Sequence, residues 1–411
     1  MPRAAAPRAA AVPRAAAPRA VTGHSAAAAA PAGAERASST LRVTAKSLPQ
    51  HTRARNRALV LQTLWHQGSM SRADLARESG LTRPTVSGIV QELADDGVVA
   101  ELGLRGDARV GKPATLVGIR PDSFHILALD LSSAERFSGA VVDVRGEVVG
   151  RASVDIDGAT GEAAVALAER LVDELSGLTT TRLLGVGVGT PGIVDHQGVV
   201  RTAVHLGWWD LPLAARLSAR TGVPVHVGND ANLAALGVHT FGDAERDPSR
   251  SLMVITIEHG VGVGLIVGGA LVEGDRFSAG EIGHVTVDEA GDVCACGRRG
   301  CLEVSLAAPG LSARLLAVDP GSRGAVLHAA GRDLGFVLAP VVSALGLDEV
   351  VLSGPRELLD GVLLRAALDT VRARTLAAVG QGLVLRYAGD DRDLAVLGAA
   401  SLVLSAELGV S

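Results

Sequence analysis

Apolar residues recur at helical spacing up to about Pro121 and in strand-like runs beyond it. From Arg53 onward, Leu59, Val60 and Leu64 give a first short helix its apolar stripe, and Gly68 ends it. Ser71 opens a second helix with Asp74 three residues on, a variant capping box that sets an acceptor and a carboxylate at the exposed amides. Gly80 terminates that helix, Leu81 fills the turn, and Thr82 caps a third helix running to about Asp96. Val86, Ile89, Val90 and Leu93 take its i, i+3, i+4 and i+7 positions and form one buried face. The opposite face carries Arg83, Thr85, Ser87 and Gln91, donors and acceptors suited to base edges or phosphates. After Gly97 the pattern predicts two short strands around a glycine-rich basic tip, a wing whose Arg105, Arg109 and Lys112 reach phosphates or the adjacent minor groove.

Beyond residue 121, HILALDL, FSGAVVDV, LLGVGVG, VPVHVGND, SLMVITI and VGLIVGG read as strands with helices between them, an alternation that predicts α/β architecture. Ligand sites in such folds lie at strand ends, where Thr190 to Asp195, Asn229 to Asn232, Glu281 to His284 and Glu303 stand. Carboxylates and amides together suit neutral hydroxyls, because each sugar OH both donates and accepts. Taken singly each is weak: a lone Asn-Asp is more often a helix cap, and Glu303 can simply start a helix.

Charge is divided unevenly. The first 121 residues hold 17 Lys+Arg against 8 Asp+Glu, whereas the other 290 hold 22 against 36. The overall balance of −5 therefore hides a front suited to nucleic acid and a back that repels phosphate polymers. No uninterrupted apolar stretch approaches the roughly 20 residues of a membrane helix, so no membrane partner is expected. Residues 1–50, rich in Ala, Pro and Arg, are expected to be disordered, because Pro2, Pro7, Pro13 and Pro18 interrupt helix and little there could form a core.

All three cysteines, Cys294, Cys296 and Cys301, follow His284 within 17 residues. Three thiolates and an imidazole complete a tetrahedral set for zinc, and closed sites of this kind are usually structural. Gly297 and Gly300 supply the backbone freedom a tight knuckle needs. A disulfide would leave one thiol over, and three unrelated thiols are the plainer alternative.

Two stretches carry a resemblance. LTRPTVSGIVQELADDGVV resembles the recognition helix of winged-helix repressors, and GEIGHVTVDEAGDVCACGRRGCLE resembles the signature of the ROK (repressor, ORF, kinase) family, in particular its xylose-repressor and N-acetylglucosamine-repressor branch. The likeness covers roughly residues 51–411. It implies an N-terminal winged helix-turn-helix at 51–121, then a two-lobed actin/hexokinase-like (ribonuclease-H-like) α/β domain at 122–411. It further implies that His284, Cys294, Cys296 and Cys301 hold structural zinc, that Asn229, Asp230, Glu281, His284 and Glu303 contact a sugar, and that Gly192 approaches it through backbone. One ring nitrogen of His284 would then serve the metal and the other a sugar hydroxyl.

Kinases of the family carry a first phosphate loop of the form Asp-x-Gly-Gly-Thr-Lys; here Asp130 to Glu135 lacks both glycines and places Glu135 where the lysine would be. In the second loop Glu258-His259-Gly260 stands in place of Gly-Thr-Gly, and in the third Leu352-Ser353-Gly354-Pro355 is partly preserved. The expectation is a non-enzymatic, cytoplasmic, sugar-responsive repressor of carbohydrate genes that binds a double-stranded DNA operator as a homodimer or dimer of dimers. The alternative is an ATP-dependent sugar kinase with an added DNA-binding domain, in which Asp230 is the general base.

Overall fold

Ser71 and Thr82 set the helix starts as their positions predict. In the computed structural model, which describes residues 49–104, 114–242, 251–389 and 393–410, helix α1 spans Pro49–Gln67, followed by strand β1 (Met70–Ser71), α2 (Arg72–Ser79) and α3 (Arg83–Asp95). Ser71 accepts from the Asp74 amide at 3.2 Å, Thr82 from the Thr85 amide at 3.3 Å, and Gly80 closes α2 at φ +68°. Each cap satisfies an amide that the helix leaves without a partner. Val86, Ile89, Val90 and Leu93 are buried as expected. In α1 Leu61 is fully buried whereas Leu59 is only partly so. The expected stripe is therefore rotated, because α1 packs on the C-terminal end of the chain as well as on its own neighbours.

Strands β2 (Val99–Leu104) and β3 (Thr115–Ile119) form the wing and pair with β1 in the order β1-β3-β2. Arg105, Arg109 and Lys112 of the expected wing tip lie outside the described residues, as does residues 1–48 of the segment expected to be disordered. Pro49 and Gln50 already belong to α1.

The remaining chain builds two lobes of matching topology. The first contains β4 (His125–Asp130), β5 (Arg136–Asp143), β6 (Val148–Asp155), α4 (Glu162–Ser176), β7 (Leu183–Thr190), β8 (Ile193–Val194), β9 (Val200–Ala203), β10 (Trp208–Leu211), α5 (Leu213–Thr221), β11 (Val225–Asn229) and α6 (Asp230–Phe241). The second contains β12 (Leu252–Ile257), β13 (Val261–Val267), β14 (Ala270–Leu271), α7 (Leu302–Leu306), α8 (Ala308–Leu316), α9 (Arg323–Leu345), β15 (Glu349–Ser353), α10 (Arg356–Leu359), α11 (Val362–Arg374), α12 (Ala377–Gly380) and β16 (Val384–Tyr387), after which α13 (Leu394–Leu408) returns to the first sheet. In the first sheet, an antiparallel meander β4-β5-β6 is extended from β4 by the parallel strands β7 and β11. In the second, the meander β12-β13-β14 is extended from β12 by the parallel strands β15 and β16. This is the two-lobed architecture that the resemblance implied.

Helices α6 and α13 lie between the sheets, α6 against β12 and β13, α13 against β4, β7 and β11. Glycine sets their separation. A Cβ on Gly398 of α13 would stand 1.7 Å from the Leu233 carbonyl of α6, and one on Gly237 of α6 would stand 2.4 Å from the Leu394 carbonyl. Such approach of two backbones leaves room only for hydrogen. α13 is apolar around much of its circumference, as a helix enclosed by other elements must be. Its last turn reaches α1: Leu408 and Val410 share one core with Val60, Leu61, Leu93 and Val98. By length and composition α9 could cross a membrane; one of its faces is buried against α11 and the second-lobe core.

Candidate functional site

Strands β4, β7 and β11 run parallel, so their C-terminal ends deliver Asp130, Thr190 and Asn229 to one edge of the first lobe. Asn229 caps α6, its Oδ1 accepting from the Asn232 amide at 3.0 Å. Its Nδ2 donates to the Gly192 carbonyl at 3.0 Å and to Asp230 Oδ1 at 2.9 Å. Gly192 sits at φ +91°, and a Cβ there would meet the Thr202 carbonyl at 1.9 Å, so only glycine can hold this turn against its neighbour strand. Burial, with the negative charge of Asp130 beside it, pushes the Asp230 carboxyl up to about 7, although the amides of Ala231 and Asp230 and the Asn229 side chain favour its ionised form. Asp130 is raised by burial too, despite a 2.9 Å bond from the Ser132 amide. Asp195, by contrast, is a turn-former. Burial would raise its carboxyl, but the Val199 and Gln197 amides and the Arg201 guanidinium hold it below the usual range.

The second lobe supplies Glu258 in the β12–β13 turn, the 3₁₀ turn Glu281–His284, and Glu303 in the first turn of α7. Burial raises the Glu258 carboxyl, and the nearby Asp130 charge adds to the effect. Glu303 Oε2 accepts from the Val261 amide at 3.2 Å, and Cys294 Sγ donates to its Oε1 at 3.4 Å. Asp130 thus links the two lobes, acting on Asp230 and on Glu258. The sequence placed Asp130 and Glu258 only in the altered phosphate loops, not among the candidate ligand residues. Their signal was present, since Asp130 ends and Glu258 directly follows the first strand of its sheet, but only the paired topology makes the two positions equivalent.

His284 Nδ1 lies 3.7 Å from Cys294 Sγ, and Cys296 Sγ lies 3.6 Å from Cys301 Sγ. All four ligand atoms fall within 4.8 Å of one another, a cluster that could hold a metal ion. Donors about 2.3 Å from a tetrahedral metal stand about 3.8 Å apart, so the spacing fits. The knuckle depends on Gly297 at φ +85° and Gly300 at φ +60°; a Cβ on Gly300 would lie 1.5 Å from the Asp288 carbonyl. Burial pushes the Cys294 thiol up to about 12 and raises that of Cys301, whereas the Arg298 amide draws that of Cys296 down. On its far side His284 Nε2 is 3.8 Å from Glu281 Oε2. The imidazole therefore has one nitrogen toward the thiols and one toward the Glu281 carboxylate.

On α3, Arg83, Ser87 and Gln91 are exposed and Thr85 is half-buried. Thr85 Oγ1 is 2.8 Å from the capping Thr82 hydroxyl, and Gln91 Nε2 donates to Asp95 at 2.9 Å. Arg83 has no ion-pair partner among the described residues.

The profile of the ROK family matches residues 127–406, and that of the MarR family matches residues 55–110. A putative xylose repressor from Caldicellulosiruptor sp. (strain Rt8B.4) is 33% identical over 255 residues, 60% of this chain and 62% of the relative. The chain thus spans about three fifths of that repressor's length. A glucokinase from Halalkalibacterium halodurans is 32% identical over 305 residues, 65% of this chain and 92% of the enzyme. Among solved structures, a ROK family transcriptional regulator described as a homolog of the E. coli MLC protein superposes with a TM-score of 0.77 at 24% identity, covering 87% of this chain and 97% of that one. At that identity the superposition speaks for the fold.

Proposed function

The chain belongs to the ROK family, and from that membership we propose that it is a sugar-responsive, DNA-binding transcriptional regulator that represses carbohydrate uptake or catabolism genes. Its winged helix engages a double-stranded operator through Arg83, Thr85, Ser87 and Gln91, with Arg109 and Lys112 on the backbone. A sugar binds between the lobes at Gly192, Asn229, Asp230, Glu281, His284 and Glu303. Zinc held by His284, Cys294, Cys296 and Cys301 fixes the imidazole that meets the sugar and does no chemistry of its own. The protein works in the cytoplasm as a homodimer or dimer of dimers, whose two-fold symmetry suits an inverted-repeat operator.

One helix carries this reading. α13 crosses α6, whose first turn bears Asp230, and its last turn closes the core around α1 and α3. Asp393, just before α13, pairs with Arg151 and acts on Asp130, while Glu407 near its end pairs with His226 of β11 at 2.8 Å. A shift of the lobes about a bound sugar is therefore felt where the reading head is anchored, with a coupling of roughly 1–3 kcal/mol. Fluorescence anisotropy with DNA from upstream of the protein's own gene tests the reading. Salt-sensitive binding that Arg83→Ala abolishes is expected, and indifference to both would refute it.

A second reading, a sugar kinase with an added DNA-binding domain, is favoured by the glucokinase relative and by an Asp230 carboxyl near 7, suited to a general base. Against it stand the exposed Glu135 and Glu258 in the two loops where a kinase cradles phosphates. A coupled assay with ATP and a sugar panel decides, with no turnover expected.

A further inference from the structure

We propose that the effector is a disaccharide or longer glycoside, one unit of which takes the sugar site while the next enters a separate cavity beside Asn229. This inference rests on the reading of the cleft as a sugar receptor and extends that site by one unit.

The cavity has a volume of about 170 Å³. Complete small-molecule sites run to roughly 300–1,000 Å³, so a space of this size suits one ring of a longer ligand. Both lobes build it. The first gives the turn at 195–198 between β8 and β9, strand β11 as far as Asn229, and Asn232 of α6; the second gives Leu271 of β14 and Phe277 of the loop that leads to Glu281. Asn229 joins the two spaces, since it lines this cavity and also donates to the Gly192 carbonyl at 3.0 Å and to Asp230 at 2.9 Å.

One group in the lining is left without a partner. Asn232 is only 8% exposed, and its Oδ1 is buried with no hydrogen bond. Buried amide oxygens are nearly always paired, because taking one out of water unpaired is unfavourable. The ionisable groups beside it are already engaged. Asp195 accepts from the Gln197 and Val199 amides at 2.9 and 3.0 Å and pairs with Arg201, and His226 pairs with Glu407 at 2.8 Å. A charged ligand therefore finds little to hold it deep in the cavity. A hydroxyl suits the place, since it both donates and accepts and so satisfies either end of the Asn232 carboxamide, whereas a carboxylate or an ammonium meets only one.

The rest of the lining suits the remainder of a sugar ring. Leu233, Leu236, Leu271 and Leu402 make an apolar side. Phe277 adds an aromatic ring, 5.7 Å from that of His196, and holds φ at +56°. A bulky L residue rarely takes that conformation, and residues held so gather at ligand sites. Here the loop is tied by the Phe277 amide to the Gly274 carbonyl at 3.2 Å and by the Ala279 amide to the Glu273 carbonyl at 3.0 Å. A pyranose carries C–H groups on its faces and hydroxyls around its edge, which matches apolar walls with one buried amide between them. Because the walls belong to both lobes, the second unit also bears on how they sit about the first.

Isothermal titration of the zinc-loaded full chain at pH 7.5 tests this with xylose against xylobiose, glucose against cellobiose and maltose, and N-acetylglucosamine against N,N′-diacetylchitobiose. At least one disaccharide should bind roughly 10-fold or more tightly than the monosaccharide composing it. That advantage should shrink to about threefold or less in Asn232→Leu and in Phe277→Ala. Leu fills nearly the space of Asn and needs no partner, so Asn232→Leu should melt no lower than wild type; Phe277→Ala probes a different wall should the first variant fail to fold. A monosaccharide that binds as tightly as every disaccharide containing it overturns the inference and leaves the receptor reading standing, and so does a disaccharide advantage that survives both substitutions. If no sugar of the panel binds at 10 mM, the receptor reading falls and the inference with it.

Discussion

Replacing Asp230 by Asn should stabilise the protein, and by an amount that grows with pH. In the unfolded chain the carboxyl ionises near its ordinary value of 3.8, whereas in the fold burial and the Asp130 charge delay ionisation to about 7. Below 3.8 both states hold the proton and nothing is lost. Between 3.8 and about 7 only the folded state keeps it, so folding stability falls as pH rises, and above 7 the loss is complete. A shift of about three units at about 1.4 kcal/mol each sets a ceiling of about 4 kcal/mol. Asp230 lies at a cleft and retains some solvent contact, so about 2 kcal/mol is the more realistic figure. Asn keeps an oxygen that can accept from Asn229 and carries no charge to bury. Urea denaturation of zinc-saturated wild type and Asp230→Asn at pH 5, 6, 7 and 8 reads the effect of Asp230 together with its coupling to Asp130, since titrating groups not coupled to them cancel in the difference. The advantage of the variant should widen by about 1–2 kcal/mol between pH 5 and pH 8. A difference that stays flat across pH, or a variant less stable than wild type at pH 8, would show that the charge is not held out of water in this way.

Gly398→Ala, which drives a methyl group into the Leu233 carbonyl, should separate α6 from α13, lowering stability by about 2 kcal/mol or more and weakening the response of DNA affinity to sugar. Equilibrium unfolding and anisotropy with and without sugar read the two effects. Metal analysis should find about one zinc per chain, and chelation should lower the melting temperature and sugar affinity together; a Cys296→Ser chain that folds and binds sugar unchanged would remove the metal from the argument. Thr82→Ala deletes the cap of α3 and should cost about 1 kcal/mol in urea unfolding.

Features set within a few residues of chain were legible without coordinates. The caps Ser71 and Thr82, the αL glycine Gly80, the buried face Val86, Ile89, Val90 and Leu93, and the glycine-jointed cysteine knuckle all stand where the pattern put them. Each depends on a local hydrogen bond, a backbone dihedral or a helical period, and those leave a signature in adjacent letters. The strands quoted from beyond residue 121 are likewise strands, because their β-branched runs lie buried in the two sheets.

Only the tertiary structure decided what lies beside what. It made the lobes two versions of one sheet topology, it turned α1 so that Leu61 rather than Leu59 faces inward, and it ran α13 from its crossing with α6 to the core around α1 and α3. It also gathered Asp130, Asp230 and Glu258, each about 30–100 residues from the next, into one electrostatic group. No periodicity encodes such neighbours. They arise when parallel strands end at a common edge and when glycines let two helix backbones touch, and both follow from how distant segments fill shared space.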